Sequence, residues 1–135
     1  MKFNELKIGQ KASLTKIFSK ADVLEFADAS GDCNPIHINE EAAKKSIFGR
    51  PVAHGILALG LVSAVLGNKL PGAGTIYLGQ DTRFSNPVFW GDEVTATVEV
   101  FELREDKKIA KLNTVCTKPD GTIVNSGVAV VKLAE

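Results

Sequence analysis

The chain is poor in the residues that mark several large protein classes. Two cysteines occur among its 135 residues. Cys33 and Cys116 stand far apart in no metal-type spacing, so neither a disulfide framework nor a cysteine-built metal centre organises the fold, and both read as free thiols. Neither sign of charge dominates: sixteen Lys and Arg balance sixteen Asp and Glu. That balance argues against a nucleic-acid backbone or an anionic membrane surface as the main partner. The apolar run from Gly55 to Gly67 is shorter than the roughly 20 residues needed to cross a bilayer. Met1 to Lys7 has no apolar stretch followed by a small-residue cleavage site, so the expected location is the cytoplasm. Gly72 and Gly74 are not preceded by a strand and form no G-x-G-x-x-G pattern, which removes a dinucleotide fingerprint. Repeats, low-complexity tracts and linkers are missing, and the length suits one domain over 1–135.

The first half of the chain carries helical signals. Ser19 followed three residues later by Asp22 is a capping-box pattern, Val23, Phe26 and Ala27 recur at helical spacing, and Gly31 supplies a stop. A shorter helix is predicted from Asn39, with Glu40 and Glu41 at its start, Lys44 and Lys45 towards its end, and Gly49 and Pro51 closing it. The segment GILALGLVSAVLG from Gly55 has no charge and one hydroxyl, Ser63. A helix apolar all round is surrounded by protein, so a buried core helix is expected here.

Beyond Gly74 the period changes to two. Val94, Ala96, Val98 and Val100 alternate with Thr95, Thr97 and Glu99, as in a strand with one buried face. Further strands are predicted over 75–84, 109–117 and 123–133, with Arg104 to Lys108 and Lys118-Pro119-Asp120-Gly121 as turns. Helices first and hairpin-linked strands later indicate an α+β domain, an antiparallel sheet curled round the apolar helix.

Chemistry concentrates in Ser30-Gly31-Asp32-Cys33-Asn34-Pro35-Ile36-His37. A carboxylate and an imidazole stand on a short turn stiffened by Pro35, which sets its own φ and holds Asn34 extended. Fixed orientation of two titratable groups is what proton transfer requires. Each residue also has a plain structural use, Asp32 as a turn former and His37 as a core histidine bonded to backbone. Asp32, His37 and His54 lack the tight spacing of a ligand pair, and no metal is expected.

The residues Phe26 to His37, then His54-Gly55-Ile56 and the apolar helix, then Ile76 to Gln80 and Pro87 to Val94, together resemble the MaoC-like family of (R)-specific enoyl-CoA hydratases. The resemblance spans most of the chain. It implies a hot-dog fold, in which a curved antiparallel sheet wraps a long central helix, and a homodimer whose two sheets join. It also implies addition of water to a trans-2-enoyl-CoA, giving a (3R)-3-hydroxyacyl-CoA reversibly and without a cofactor.

Carried over by position, the resemblance makes Asp32 and His37 the catalytic pair holding one water; which of them is base and which acid stays open. Gly55, at the helix start where main-chain N–H groups lack partners, becomes the donor to the thioester oxygen. Ser63, Leu66 and Val131 become candidates for shaping the acyl pocket, although Ser63 can equally bond back to its own helix. His54 is treated as structural. Arg83, charged within a largely apolar strand, calls for a partner, either a phosphate of CoA or a carboxylate of the protein. Rival expectations are a dehydratase acting on acyl carrier protein, a thioesterase, or a non-catalytic acyl-thioester binding module.

Overall fold

A computed structural model describes all 135 residues. After a 3-10 turn at Phe3–Glu5 come β1 (Lys11–Ile17), α1 (Lys20–Ser30), α2 (Pro35–Ile38), α3 (Glu40–Lys44) and α4 (Gly55–Asn68). Four strands follow: β2 (Ile76–Phe84), β3 (Glu93–Arg104), β4 (Ile109–Thr117) and β5 (Ile123–Lys132). They form one antiparallel sheet in the order β1-β3-β4-β5-β2, so β1 and β2 are its edges. The α+β class and the sheet around a helix stand as expected, and the chain has the hot-dog arrangement.

Local chemistry accounts for the boundaries. The Ser19 hydroxyl accepts from Asp22 N–H and the Asp22 carboxylate accepts from Ser19 N–H, each at 3.1 Å, so the capping box is closed. Gly31 ends α1 at φ 82°, a left-handed geometry that glycine adopts without steric cost. Asn34 caps α2 and Pro35 sits at its first position, so the predicted stiff turn is one helical turn.

Three expectations need correction. The helix from Asn39 stops at Lys44 rather than near Gly49, because the Ser46 hydroxyl donates to Ala43 O at 2.6 Å and accepts from Phe48 N–H, turning the chain outward. β1 was not foreseen; its Ala12 and Leu14 are only half-buried, so its period-two signal is weak. And α4 is buried on one side only. Ala58, Leu61, Val62, Val65 and Leu66 enter a core of 22 buried residues, whereas Ile56 is 58% exposed and Gly60 and Ser63 also face outward. One concave sheet face covers one side of a helix, so complete burial of α4 needs a cover from outside the chain.

The core is the meeting of α4 with β3, β1 and β4, where Val94, Ala96, Val98 and Val100 supply the sheet side. This packing fixes the start of α4, and His54 Nε2, 2.8 Å from Asp32 O, ties that start to the loop before α2.

Candidate active site

His37 lies on α2 and is 8% exposed. Its Nδ1 is 2.7 Å from Val52 O. A carbonyl oxygen only accepts, so Nδ1 carries the hydrogen and Nε2 of the neutral ring presents a lone pair. Main-chain bonds hold this residue from several sides: His37 N–H donates to Asn34 O at 3.0 Å, and the Trp90 indole donates to His37 O at 3.0 Å. Phe89 and Val52 form an isolated bridge, and Ala53 N–H donates to Val88 O at 2.7 Å, clamping the 51–53 segment against the loop before β3.

Asp32 stands at the exposed end of the loop between α1 and α2, where its Oδ1 accepts from Asn34 N–H at 3.2 Å. One donor atom from each of Asp32, His37 and His54 lies within 4.8 Å of the other two. These are the chain's only two histidines, and their rings are stacked, 3.9 Å between centroids at 27°. One nitrogen of each ring faces a main-chain oxygen at 2.7 to 2.8 Å, which leaves the other nitrogen of each without a protein partner.

Gly55 begins α4 directly after His54. Neither Gly55 N–H nor Ile56 N–H donates within the chain, so the positive end of a 14-residue helix is left open directly after His54, the ring that stacks on His37. Gly55 also borders a cleft of about 240 Å³ whose walls include Phe48, Phe84, Pro87, Val88 and Val124. The Phe84 ring rests on Gly55: a Cβ added there would meet Phe84 Cδ1 at 3.0 Å. Asp32, His37 and His54 thus gather next to the start of α4, while the cleft bordered by Gly55 is lined by none of the three.

The chain belongs to the MaoC-like domain family. The family's model matches residues 3–120. The (R)-specific enoyl-CoA hydratase of Aeromonas caviae is 50% identical over 133 residues, 98% of this chain and 99% of that protein. An (R)-specific enoyl-CoA hydratase of Rhodospirillum rubrum is 46% identical, covering 96% of this chain and 89% of that one. Among solved structures, an (R)-hydratase from A. caviae involved in PHA biosynthesis superposes with a TM-score of 0.92 at 52% identity, over 95% of this chain and 97% of that one.

Within this MaoC-like domain the positions read from the sequence separate into two groups. Asp32 and His37 approach one another beside His54, which directly precedes Gly55, and of these only Gly55 lines the cleft. Ser63 is exposed on the outer face of α4, and its hydroxyl makes no bond back to its helix; Leu66 and Val131 are 1% and 0% exposed within the core, and none of the three lines the cleft. Arg83 is exposed and has no carboxylate within 4 Å. Phe84, which covers Gly55, and Trp90, which holds His37 O, were not singled out by the sequence reading. For Trp90 a signal existed, since it is the chain's one tryptophan and lies in a segment shared with the family. No helix is long and apolar enough to cross a membrane.

Proposed function

We propose that this protein hydrates trans-2-enoyl-CoA to (3R)-3-hydroxyacyl-CoA, reversibly, with Asp32 and His37 as the acid–base pair, and that it works in the cytoplasm without metal or redox cofactor. The observation that carries this reading is the spacing of the pair beside the free N–H groups of α4. A water that hydrogen-bonds two acceptors at about 2.8 Å in tetrahedral geometry separates them by about 4.6 Å. The Asp32 carboxylate and a His37 nitrogen lie within 4.8 Å.

In that reading the water oxygen bonds to C3 of the enoyl group while the pair takes one of its protons. Electron density moves through C2 onto the thioester oxygen, where Gly55 N–H stabilises the enolate, and C2 then takes a proton from the pair. Removing one such donor from comparable sites costs about 3 to 4 kcal/mol of transition-state stabilisation. Acid–base participation adds roughly 10² to 10⁴ in rate. The half-apolar cleft beyond Gly55 receives the acyl thioester, and Ser63, Leu66 and Val131 bear on its chain length through the packing of α4 and β5.

The active form is a homodimer. Ile76, Leu78 and Phe84 on the unpaired edge β2 are 48%, 52% and 54% exposed, and Ile56 on the open face of α4 is 58% exposed. An apolar edge strand beside an uncovered helix face invites a second copy. The expected mass in solution is twice 14.4 kDa.

The direct test is loss of enoyl absorbance with crotonyl-CoA, followed by chiral analysis of the product. Release of free thiol instead would identify a thioesterase, and turnover confined to carrier-protein thioesters would identify a dehydratase of that class. Tight acyl-CoA binding with no turnover of any kind would remove the enzymatic reading.

A further inference from the structure

His54 is 2% exposed and joins the three parts of the site. Its Nε2 lies 2.8 Å from Asp32 O, and because a carbonyl can only accept, Nε2–H is the donor. One ring face stacks on His37 at 3.9 Å, and the Phe26 ring meets it edge-on at 4.8 Å and 66°. Its own main chain precedes Gly55, as the cap of α4.

This residue is poorly chosen for stability alone. A cap is best served by Ser, Thr, Asp or Asn, whose oxygen accepts from the first turn, and the His54 side chain makes no such bond. Its Nδ1 is buried without any partner, a destabilising feature that a phenyl ring in the same place would not have. What the imidazole alone provides is a flat face for His37 combined with an N–H donor for the main chain of Asp32.

We propose that His54 is a positioning residue for the catalytic pair: its Nε2–H holds the Asp32 main chain and its ring face holds the His37 imidazole, keeping their one-water spacing beside Gly55 N–H. The proposal rests on the hydratase reading of Asp32 and His37. His54 itself touches no substrate in this scheme. Misplacement of reacting groups by about 1 Å is enough to cost on the order of 100-fold in rate.

Two substitutions separate its contributions. His54→Phe keeps the stacked ring, removes the donor and removes the orphaned nitrogen. A purely structural role predicts an unchanged or raised thermal midpoint and wild-type turnover. Positioning predicts the same midpoint with kcat lowered by roughly 10- to 100-fold and KM for crotonyl-CoA within about twofold, since binding is untouched. His54→Gln keeps an N–H donor and is expected to recover part of the turnover that His54→Leu loses. Wild-type kcat in His54→Phe, or equal turnover in the Gln and Leu variants, overturns the proposal.

A crystal structure of His54→Phe distinguishes this failure from failure of the hydratase reading, since it needs no substrate. Movement of the Asp32 main chain away from its wild-type position by more than about 0.5 Å, the tolerance of a productive site, is expected. An unmoved Asp32 overturns positioning whichever thioester the protein takes.

Discussion

The Nδ1–H of His37 donates to Val52 O at 2.7 Å, which leaves Nε2 as the nitrogen free to exchange a proton. The Trp90 indole donates to His37 O and His37 N–H donates to Asn34 O, bonds that do not depend on the His37 side chain. His37→Gln and Asp32→Asn are therefore expected to fold with near wild-type midpoints while losing roughly 10² to 10⁴ in kcat. Circular dichroism and crotonyl-CoA turnover on the same samples check both halves. Near-full rate in either variant removes that residue from the chemistry.

Gly55→Ala tests the helix opening. The new methyl meets Phe84 carbons at 3.0, 3.3 and 3.4 Å, and Phe84 is half-exposed, so its ring can swing aside. Stability should change by less than about 1 kcal/mol, because alanine favours the helix that glycine opposes. The methyl and the displaced ring instead crowd the thioester, so kcat/KM is expected to fall at least about tenfold, or 1.4 kcal/mol. Steady-state kinetics beside a thermal melt separates the two effects.

Gly127 is a different case, since its Cβ would lie 1.8 Å from Asp81 O and 2.9 Å from Thr82 Cα across the β5–β2 pairing. Backbone cannot step aside as Phe84 can. Gly127→Ala should cost about 3 kcal/mol or more by overpacking and should loosen β2. The unfolding midpoint in urea measures this, and a change below about 1 kcal/mol would show that β2 is not held as described.

The capping box of α1 has a pH signature. Hydrogen bonding from the Ser19 main chain, aided by the Ser19 hydroxyl and Lys16, holds the Asp22 carboxyl below its ordinary value against the opposing effect of burial. A depressed folded-state value means the contribution is present above the unfolded carboxylate pKa of about 3.9 and is lost as pH falls through the folded value. Ser19→Ala should cost about 1 kcal/mol at neutral pH. The stability gap between wild type and Asp22→Asn should narrow below about pH 4. The Lys16 pair at 3.7 Å adds little, being largely exposed.

Cys116 and Cys33 should differ in reactivity. Burial pushes the Cys116 thiol up to about 11, only partly offset by the Asn125 amide, and its Sγ points at Ala58 O at 3.6 Å. Cys33 is exposed. Iodoacetamide at neutral pH should modify Cys33 alone in the native protein and both thiols after denaturation, as intact mass will show. Rapid native labelling of Cys116 would contradict its burial under α4.

Legibility in the sequence followed the range of the interaction involved. The α1 cap, the Gly31 stop, the turn at Lys118 to Gly121 and the strands at 109–117 and 123–132 are set by residues a few positions apart, and all were readable. β1 was not, because its place comes from pairing with β3 some eighty residues away, as Thr15 with Thr95. The uncovered side of α4 was equally hidden, since composition reports that a helix is apolar and not how many sides a single chain can cover. In the site, the Asp32 and His37 motif is plain from adjacent residues, while the contacts of His54 with Asp32, His37 and Phe26 are not, because those residues lie 17 to 28 positions earlier.

Sequence alone was sufficient for the α+β class, the helix caps, the alternation of the strands and the short motif that carries Asp32 and His37. Those are consequences of local backbone preference and hydrophobic period. Tertiary structure decided the rest: that both imidazoles stack, that Val52 O selects the free nitrogen of His37, that Phe84 lies on Gly55, and that one flank of α4 stays open. Each depends on distant segments being brought to within van der Waals or hydrogen-bond range, and such contacts are set by packing of the whole sheet against α4 rather than by any stretch of neighbouring residues.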